Sequence, residues 1–167
     1  LEPEHTIVVA GHGADLVEKA ALAWDDEARI VLQEEQLGTG HAVQQAQSAL
    51  DGFTGDVIVL YGDTPFIQPA TLEAMADMRK TKDLVVLGFE AADPGRYGRL
   101  ITDGDSLERI VEFKDASPVE QRVRLCNSGV MAMSAATLFD LLSKINNENA
   151  SGEYYLTDVV FHGRQSG

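Results

Sequence analysis

Short apolar runs alternate with helical segments through the first half of the chain, and this alternation restricts the possible folds more than any other feature. The apolar runs are rich in β-branched residues, as buried strands are, and they occupy residues 5–11, 28–33, 56–63 and 83–90. The segments between them repeat apolar residues at helical spacing and occupy residues 14–24, 41–50 and 69–80. Strand–helix–strand units of this kind predict an α/β fold, with a mostly parallel sheet and helices on both of its faces.

The second half of the chain departs from this pattern and adds a β-hairpin to the core. Residues 97–115 contain two β-rich runs joined by the turn Asp103-Gly104-Asp105, which predicts two antiparallel strands. Residues 124–133 predict a further strand, after which Ser134 can cap a helix. The expected architecture is a single domain over residues 1–167, an α/β core with an inserted hairpin layer.

The charge of the chain excludes one broad class of partner. It carries 13 basic and 27 acidic side chains, a net charge of −14, whereas a surface that grips nucleic acid needs clustered Lys and Arg against the phosphates. A single nucleotide stays possible, because backbone N–H groups, a divalent metal and a few side chains can hold it. No apolar run reaches the ~20 residues that span a bilayer, and no signal-peptide pattern is present, so we expect a soluble, cytoplasmic protein without a membrane partner.

The cysteine and histidine residues suggest neither a nucleophile nor a metal cluster. Cys126 is the only cysteine, which excludes a disulfide within the chain, and its place in a predicted strand favours a buried structural thiol. The four histidines do not show metal-ligand spacing. His41, beside a glycine turn, suits a capping or packing role better than that of a base.

A glycine turn at a strand-to-helix junction is the first candidate site. In open parallel sheets ligands bind beyond the carboxyl ends of strands, and Gly38-Thr39-Gly40 lies between a predicted strand and a predicted helix. Gln33 and Gln36 border this turn, and a Gln amide offers both a donor and an acceptor to the edge of a base. The stretch lacks the GxxxxGK[ST] pattern of a phosphate-binding loop. A plain strand–helix turn explains the same composition equally well.

A second candidate follows the most apolar strand. Residues 57–61 are all apolar, and the run ends in Gly62 and Asp63. A carboxylate at a strand end suits Mg²⁺, a hard cation that takes oxygen ligands and keeps phosphates as partners. The competing explanation is a turn-forming Asp ahead of Thr64, and the position at the strand end favours the metal.

Five further positions have ordinary explanations when each is considered alone. Glu112 can face solvent from a strand, Asn127 can begin a turn, and Thr157 can cap a helix. Gly98 and Tyr155 complete this set. Composition gives none of the five a function.

Six segments occur in a fixed order along the chain: VLQEEQLGTGHAV, VLYGDTPFI, DPGRYGRLI, IVEFKDA, CNSGVMAM and SGEYYLTDVV. Together they closely resemble the uridyltransferase domain of the bacterial bifunctional N-acetylglucosamine-1-phosphate uridyltransferase / glucosamine-1-phosphate N-acetyltransferase family. QLGTGHA and EYYLTD best separate this family from related nucleotidyltransferases. The resemblance covers essentially the whole chain and implies a Rossmann-like nucleotide-binding sheet, in agreement with the strand–helix pattern.

The resemblance also implies a role for each candidate residue. Asp63 would be the catalytic residue and would bind Mg²⁺. The nucleotide would be bound by Gln33, Gln36, Gly38, Thr39, Tyr61 and Gly62. The Gln amides would then lie against the imide edge of uracil. The N-acetylglucosamine phosphate would be bound by Gly98, Glu112, Asn127, Tyr155 and Thr157.

The implied reaction joins UTP and N-acetylglucosamine 1-phosphate into UDP-N-acetylglucosamine and pyrophosphate, with Mg²⁺ as cofactor, for cell-wall precursor synthesis. Three parts of the family pattern are not found here: a glycine-rich loop with Arg and Lys upstream of Leu1, a metal-binding Asn beyond Gly167, and the acetyltransferase half through which family members form trimers. We therefore expect this stretch to be a fragment of a longer, homotrimeric protein and to be inactive alone.

Two alternatives stay open at this point. One is a related nucleotidyltransferase that uses another nucleoside triphosphate or another sugar 1-phosphate. The other is a domain that binds nucleotide sugars without catalysing a reaction.

Overall fold

The computed structural model describes residues 1–104 and 106–166, and within them the elements follow the predicted alternation. The strands are β1 Ile7–Ala10, β2 Arg29–Leu32, β3 Asp56–Val59, β4 Leu84–Glu90, β5 Arg99–Asp103, β6 Ser106–Val111 and β7 Leu125–Ser134. The α-helices are α1 Ala14–Trp24, α2 Thr39–Gln45, α3 Pro69–Arg79, α4 Ala135–Leu142 and α5 Asp158–Gln165. Asp105, part of the predicted hairpin turn, and Gly167 lie outside the described residues.

Two helices begin where the sequence carries a start signal. The Oγ of Ser134 accepts a hydrogen bond from the N–H of Thr137 at 3.1 Å, so the predicted cap of α4 is confirmed. Pro69 begins α3, where its missing N–H has no partner within the helix to lose. The helix predicted over residues 41–50 is divided, because α2 ends at Gln45 and a separate 3₁₀ turn follows.

The pairing of the strands differs from the expected mostly parallel sheet. β7 lies between β3 and β4 and runs antiparallel to both, while the hairpin strand β5 pairs antiparallel with β6 and with β7. Among the described residues, the one parallel pair is β1 with β2. The reason is the late insertion of β7: β3 and β4 point the same way, as a strand–helix–strand unit requires, but a strand from further along the chain separates them.

The predicted packing of helices on both faces of the sheet is confirmed by the alternation of side chains along β7. Met131 and Met133 belong to one buried cluster, together with apolar residues of α4 and α5. Val130 and Ala132 belong to another, together with Met75 of α3. Successive residues of a strand point to opposite faces, so β7 is buried between two helical layers.

The hairpin and the lone cysteine also match their predictions. β5 and β6 form the expected antiparallel pair, and α5 packs against β6. Cys126, opposite Arg99 in the pairing of β5 with β7, is fully buried, and burial raises the pKa of its thiol. These properties fit a structural thiol.

The first helix is less buried than its sequence predicts. The apolar spacing of α1 is that of a packed helix, yet none of its residues is buried, and Trp24 is 94% exposed. The partner of α1 is the two-stranded sheet of β1 and β2, which offers a narrow surface for packing. Within residues 1–104 and 106–166, no helix combines the length and apolar composition needed to cross a bilayer.

Candidate active site

The glycine turn that follows β2 is built around the amide of Gln33. Gln33 is buried, with 9% of its surface exposed, and its Nε2 donates to the carbonyl of Gly38 at 3.2 Å. The same nitrogen lies 3.0 Å from Nδ1 of His41. The other predicted base-reading residue, Gln36, is exposed and lies against Gly11, where an added Cβ would meet its Nε2 at 3.2 Å. Gln33 therefore lies at the end of β2, and the side chain of Gln36 lies beside the residue that follows β1.

The glycine in this turn is required by close packing within the chain. Gly38 has a φ of +116°, and an added Cβ would lie 2.6 Å from the carbonyl oxygen of Tyr154. The N–H of Gly40 donates to that same oxygen at 2.8 Å, and the N–H of Tyr154 donates to the carbonyl of Leu37 at 2.8 Å. The chain that approaches Gly38 most closely is thus that of residues 153 and 154.

Thr39 connects this turn to the strand end that carries Asp63. Its Oγ1 accepts a hydrogen bond from the N–H of Leu156 at 3.0 Å, and its side chain lies near the hydroxyl of Tyr61. Burial raises the pKa of Tyr61 to about 12; the nearby Thr39 side chain opposes that rise, and the charges of Glu112 and Asp63 add to it. Tyr61 is therefore a neutral hydroxyl at physiological pH.

Four of the five predicted sugar-phosphate residues lie close to one another. Thr157 Oγ1 donates to Glu112 Oε1 at 3.1 Å, and an added Cβ on Gly98 would meet the same oxygen at 3.3 Å. The carbonyl of Gly98 accepts from the N–H of Asn127 at 2.9 Å. Asn127, which is 8% exposed, uses its side-chain oxygen to accept from the N–H of Gly129 at 3.1 Å, so its Nδ2 is the group that it can offer to a ligand.

The ordinary explanations for three of these residues are wrong. Glu112 is half-buried rather than solvated, and Asn127 lies inside β7 rather than at a turn. Thr157 does precede α5, but its side chain makes no capping hydrogen bond there and instead contacts Glu112.

The surroundings of Glu112 affect the pKa of its carboxyl group. Burial raises the pKa of Glu112; the hydrogen bond from Thr157 opposes that rise, and the charges of Asp158, Asp115 and Glu153 add to it. Burial also raises the pKa of Tyr155, whose hydroxyl interacts with Ser151 and Asp115. A buried carboxylate among other acids gains from a ligand that donates hydroxyl hydrogen bonds to it.

Asp63 and Gly62 form an open loop beyond β3. Both residues are exposed, and an added Cβ on Gly62 would meet no atom within 4 Å. In the part of the chain that the structure describes, no group of three or more His, Cys, Asp or Glu side chains could hold a metal ion. The carboxylate of Asp63 makes no hydrogen bond to the protein among the described residues. As an oxygen ligand it fits a cation whose other coordination positions are taken by phosphate oxygens and water.

Two residues near the site carry no signal that sequence reasoning recognised. Arg99 is 1% exposed, and its guanidinium donates to the carbonyls of Pro94, Gly95, Tyr97 and Gln121. It thereby holds the turn that presents Gly98. Tyr154 contributes its backbone to the glycine turn, as described above. Nothing in the sequence around Arg99 or Tyr154 indicates that these residues make such contacts.

Two surface grooves lie at different distances from these residues. One, of about 360 Å³, adjoins Asp63 and Gly98, since its lining includes Thr64 and Tyr97. A larger groove of about 440 Å³ is lined by residues such as His5, Arg29 and Phe53, and the lining of neither groove includes a predicted site residue. Chemistry rather than size therefore identifies the candidate site.

Comparison with known families decides which class of protein this arrangement belongs to. Residues 1–149 match the family described as MobA-like NTP transferase domain. The chain belongs to the MobA-like NTP transferase family. As an NTP transferase domain, it is a nucleotidyltransferase.

Individual relatives agree with the resemblance carried by the six segments. The NTP transferase domain is 65% identical over 167 residues to the bifunctional protein GlmU of Ruegeria pomeroyi, covering all of the chain and 37% of that protein. It is 59% identical to the GlmU protein of Paracoccus denitrificans, with the same coverage. The resemblance to the bifunctional family is thus confirmed, and the chain spans about 37% of the length of these relatives.

Solved structures support the architecture. The NTP transferase domain superimposes on a UDP-glucose pyrophosphorylase complexed with UDP-glucose at a TM-score of 0.75 and 16% identity, covering 96% of this chain and 69% of that one. It matches HddC from Yersinia pseudotuberculosis at 0.62 and 22% identity, covering 90% of this chain and 61% of that one. At these identities the likeness concerns the fold alone, and it confirms the predicted Rossmann-like type.

Proposed function

We propose that this NTP transferase domain makes UDP-N-acetylglucosamine and pyrophosphate from UTP and N-acetylglucosamine 1-phosphate. One structural observation supports the proposal above all others. Residues 154–157 hydrogen-bond on one side to the turn that carries Gly38 and Thr39, and on the other side to Glu112. The proposed uracil site and the proposed sugar site therefore share one rigid segment, as a reaction between two bound substrates requires.

The proposed reaction breaks one phosphoanhydride bond and forms another. A phosphate oxygen of the sugar phosphate attacks the α-phosphorus of UTP, a bond forms between them, and the bond from that phosphorus to the β-bridging oxygen breaks. Pyrophosphate leaves with the electron pair of the broken bond. The attacking oxygen is already ionised near neutral pH, so no general base is needed, and the four histidines are not required as one.

The protein contributes alignment. Gln33 and the backbone around Gly38 would bind the base, which carries no charge and needs hydrogen bonds rather than cations. Glu112 would accept a sugar hydroxyl, Asn127 would donate through Nδ2, and Thr157 would fix the position of the Glu112 carboxylate. Each of these side chains is held by contacts within the chain, so little conformational entropy is lost when substrate binds.

Mg²⁺ is part of the proposal. Asp63 would hold it, because an exposed carboxylate beyond a strand end suits a cation that keeps phosphates and water as its other ligands. When bound, the cation would offset the negative charge of the two substrates' phosphates. A trimeric assembly through an acetyltransferase half, and a cytoplasmic location, stay predictions from the sequence.

A substrate panel tests the proposed function on the protein as its gene encodes it. Pyrophosphate release is measured with UTP, dTTP, CTP and GTP, each with N-acetylglucosamine 1-phosphate or glucose 1-phosphate, in the presence of Mg²⁺. We expect kcat/KM to be highest for UTP with the N-acetylated sugar. Preference for another pair would identify a related nucleotidyltransferase, and binding of UTP without turnover would identify a non-catalytic domain.

A further inference from the structure

Gln33 has one group left to offer a base. Its amide carries two N–H donors and one carbonyl acceptor. The carbonyl of Gly38 can only accept, so the amide nitrogen must face it, and the distance between them is 3.2 Å. The same nitrogen lies 3.0 Å from Nδ1 of His41, which takes the second N–H when that ring nitrogen is the acceptor. The amide nitrogen of Gln45 lies 3.2 Å from the other ring nitrogen, Nε2, and a neutral ring can accept from only one of the two amides. When Nδ1 is the acceptor, both donors of Gln33 are used inside the protein, and Oε1 alone remains.

The carbonyl of Gly38 orients this amide, and Nδ1 of His41 supports the same orientation when it is the acceptor. Turning it by 180° would bring Oε1 against the carbonyl of Gly38 and would leave the lone pair of His41 Nδ1 facing another oxygen. Since Gln33 is 9% exposed, water has little access to satisfy the groups that such a turn would leave unpaired. His41 therefore matters through one acceptor atom on its ring.

We propose that His41 is the positioning residue that sets base selection, by holding the Gln33 amide so that its oxygen faces the pyrimidine. This inference rests on the proposed function. Uracil has a donor at N3, which pairs with an acceptor oxygen, whereas N3 of cytosine is itself an acceptor. An oxygen presented at this place favours uracil and opposes cytosine.

A packing role for His41 is the competing explanation, and two substitutions separate it from the proposal. The ring of His41 also lies against Tyr154, with centroids 6.4 Å apart. His41→Phe keeps a ring there and removes the acceptor. His41→Asn removes the ring and returns an acceptor oxygen close to the position of Nδ1. Gln44→Ala, on the same helix, removes a hydrogen bond to the carbonyl of Leu142 and controls for loosening of α2.

The experiment measures kcat/KM for UTP and for CTP in the protein as its gene encodes it. We expect His41→Phe to lower the UTP:CTP ratio by roughly tenfold to a hundredfold, the cost of leaving a buried donor unpaired, with the loss in the KM for UTP. His41→Asn should keep the ratio within about threefold of wild type, and Gln44→Ala should not change it. A ratio preserved in His41→Phe, or lost in His41→Asn, would overturn the proposal.

A second measurement needs no substitution and no turnover. The ¹⁵N chemical shifts of the histidine ring in the wild-type protein report which nitrogen carries the proton. We expect His41 to be protonated at Nε2 with Nδ1 free to accept; a proton on Nδ1 would overturn the proposal. If the wild-type protein does not use UTP, the proposed function fails, and the tautomer still decides whether His41 orients Gln33.

Discussion

The N–H of Leu156 donates to Oγ1 of Thr39 at 3.0 Å, across 117 residues of sequence. The next residue, Thr157, donates from Oγ1 to Glu112 Oε1 at 3.1 Å, so the segment before α5 is hydrogen-bonded both to the glycine turn and to Glu112. The nucleotide side and the sugar side of the candidate site are therefore parts of one hydrogen-bonded unit.

Removing the hydroxyl of Thr39 should cost stability. Thr39→Val keeps the shape of the side chain but leaves the buried N–H of Leu156 without its acceptor, so we expect the free energy of unfolding to fall by about 1–3 kcal/mol. Urea unfolding followed by circular dichroism measures the change. Thr39→Ser keeps the hydroxyl, and its free energy of unfolding should fall by less than half as much. Equal losses in the two variants would mean that the methyl group contributes as much to stability as the hydroxyl.

Gly38→Ala should be more costly than an alanine at another left-handed glycine. At Gly38 the new Cβ would lie 2.6 Å from the carbonyl oxygen of Tyr154, in addition to the strain of a positive φ. We expect a loss of about 2–4 kcal/mol from overpacking and strain together. Gly52 has a φ of +76° with nothing within 4 Å of an added Cβ, so Gly52→Ala should show strain alone, about 1 kcal/mol. Similar losses of unfolding free energy in the two variants would contradict the close approach of the Tyr154 carbonyl to Gly38.

The sequence predicts the elements of the fold well because their causes are local. Ser134 caps α4, Pro69 begins α3, and the alternation of apolar residues marks the strands, each within a few residues of its neighbours. The insertion of β7 between β3 and β4 has no local cause, since it depends on pairing between residues 35 to 78 positions apart. The common direction of β3 and β4 was therefore predictable, whereas the position and the antiparallel direction of β7 were not.

The candidate site, too, was only partly predictable from the sequence. A family resemblance supplied its residues, but their partners come from the tertiary structure: Thr157 and Glu112 lie 45 residues apart, and Thr39 and Leu156 lie 117 apart. Considered alone, Thr157 is a helix cap and Gly38 is a turn residue. The buried Arg99 was missed because an arginine in a strand carries no sign of the four carbonyls that it contacts.

The pKa of Glu112 predicts the pH dependence of stability. A carboxyl group whose pKa is higher in the folded than in the unfolded state stabilises the fold at low pH, and this contribution is lost as the pH rises through the folded-state pKa. Glu112→Gln can still accept from Thr157 but carries no charge. We expect this variant to unfold at a higher temperature than wild type above about pH 5, with the difference growing as the pH rises towards neutral.

Glu120 provides a control of opposite sign. Hydrogen bonds from Ser117 and Arg109 lower the pKa of Glu120 to about 2, so its charged form stabilises the fold above its unfolded-state pKa and the contribution is lost as the pH falls towards 2. Glu120→Gln should therefore lower the unfolding temperature at pH 7. A lower unfolding temperature for Glu112→Gln at that pH would refute the burial argument.

Arg99 should support the sugar side of the site through the backbone. Arg99→Met removes every donor to the carbonyls of Pro94, Gly95, Tyr97 and Gln121, and we expect a loss of about 2–4 kcal/mol in the free energy of unfolding. The KM for the sugar phosphate should rise more than the KM for UTP, because Gly98 lies on the turn that Arg99 holds. Arg124 is exposed and contacts a single carbonyl, so Arg124→Met should cost less than about 1 kcal/mol. Equal effects on the two KM values would contradict this local role.

Asp63→Asn should separate catalysis from binding. The substitution keeps the size of the side chain and removes the charge that would hold Mg²⁺, so we expect kcat to fall by roughly a hundredfold or more, with the KM for UTP changing little. The rate is measured over a range of Mg²⁺ concentrations. An unchanged rate at saturating Mg²⁺ would remove Asp63 from the metal role.

The central claim is that one nucleotide sugar lies across the segment formed by residues 154–157. A crystal structure of the protein with UDP-N-acetylglucosamine and Mg²⁺ tests it most directly. We expect the uracil to lie against Gln33 and the turn at Gly38, and the sugar against Glu112 and Asn127. A ligand bound instead in the larger groove lined by His5 and Arg29, or a uracil turned away from Gln33, would contradict it.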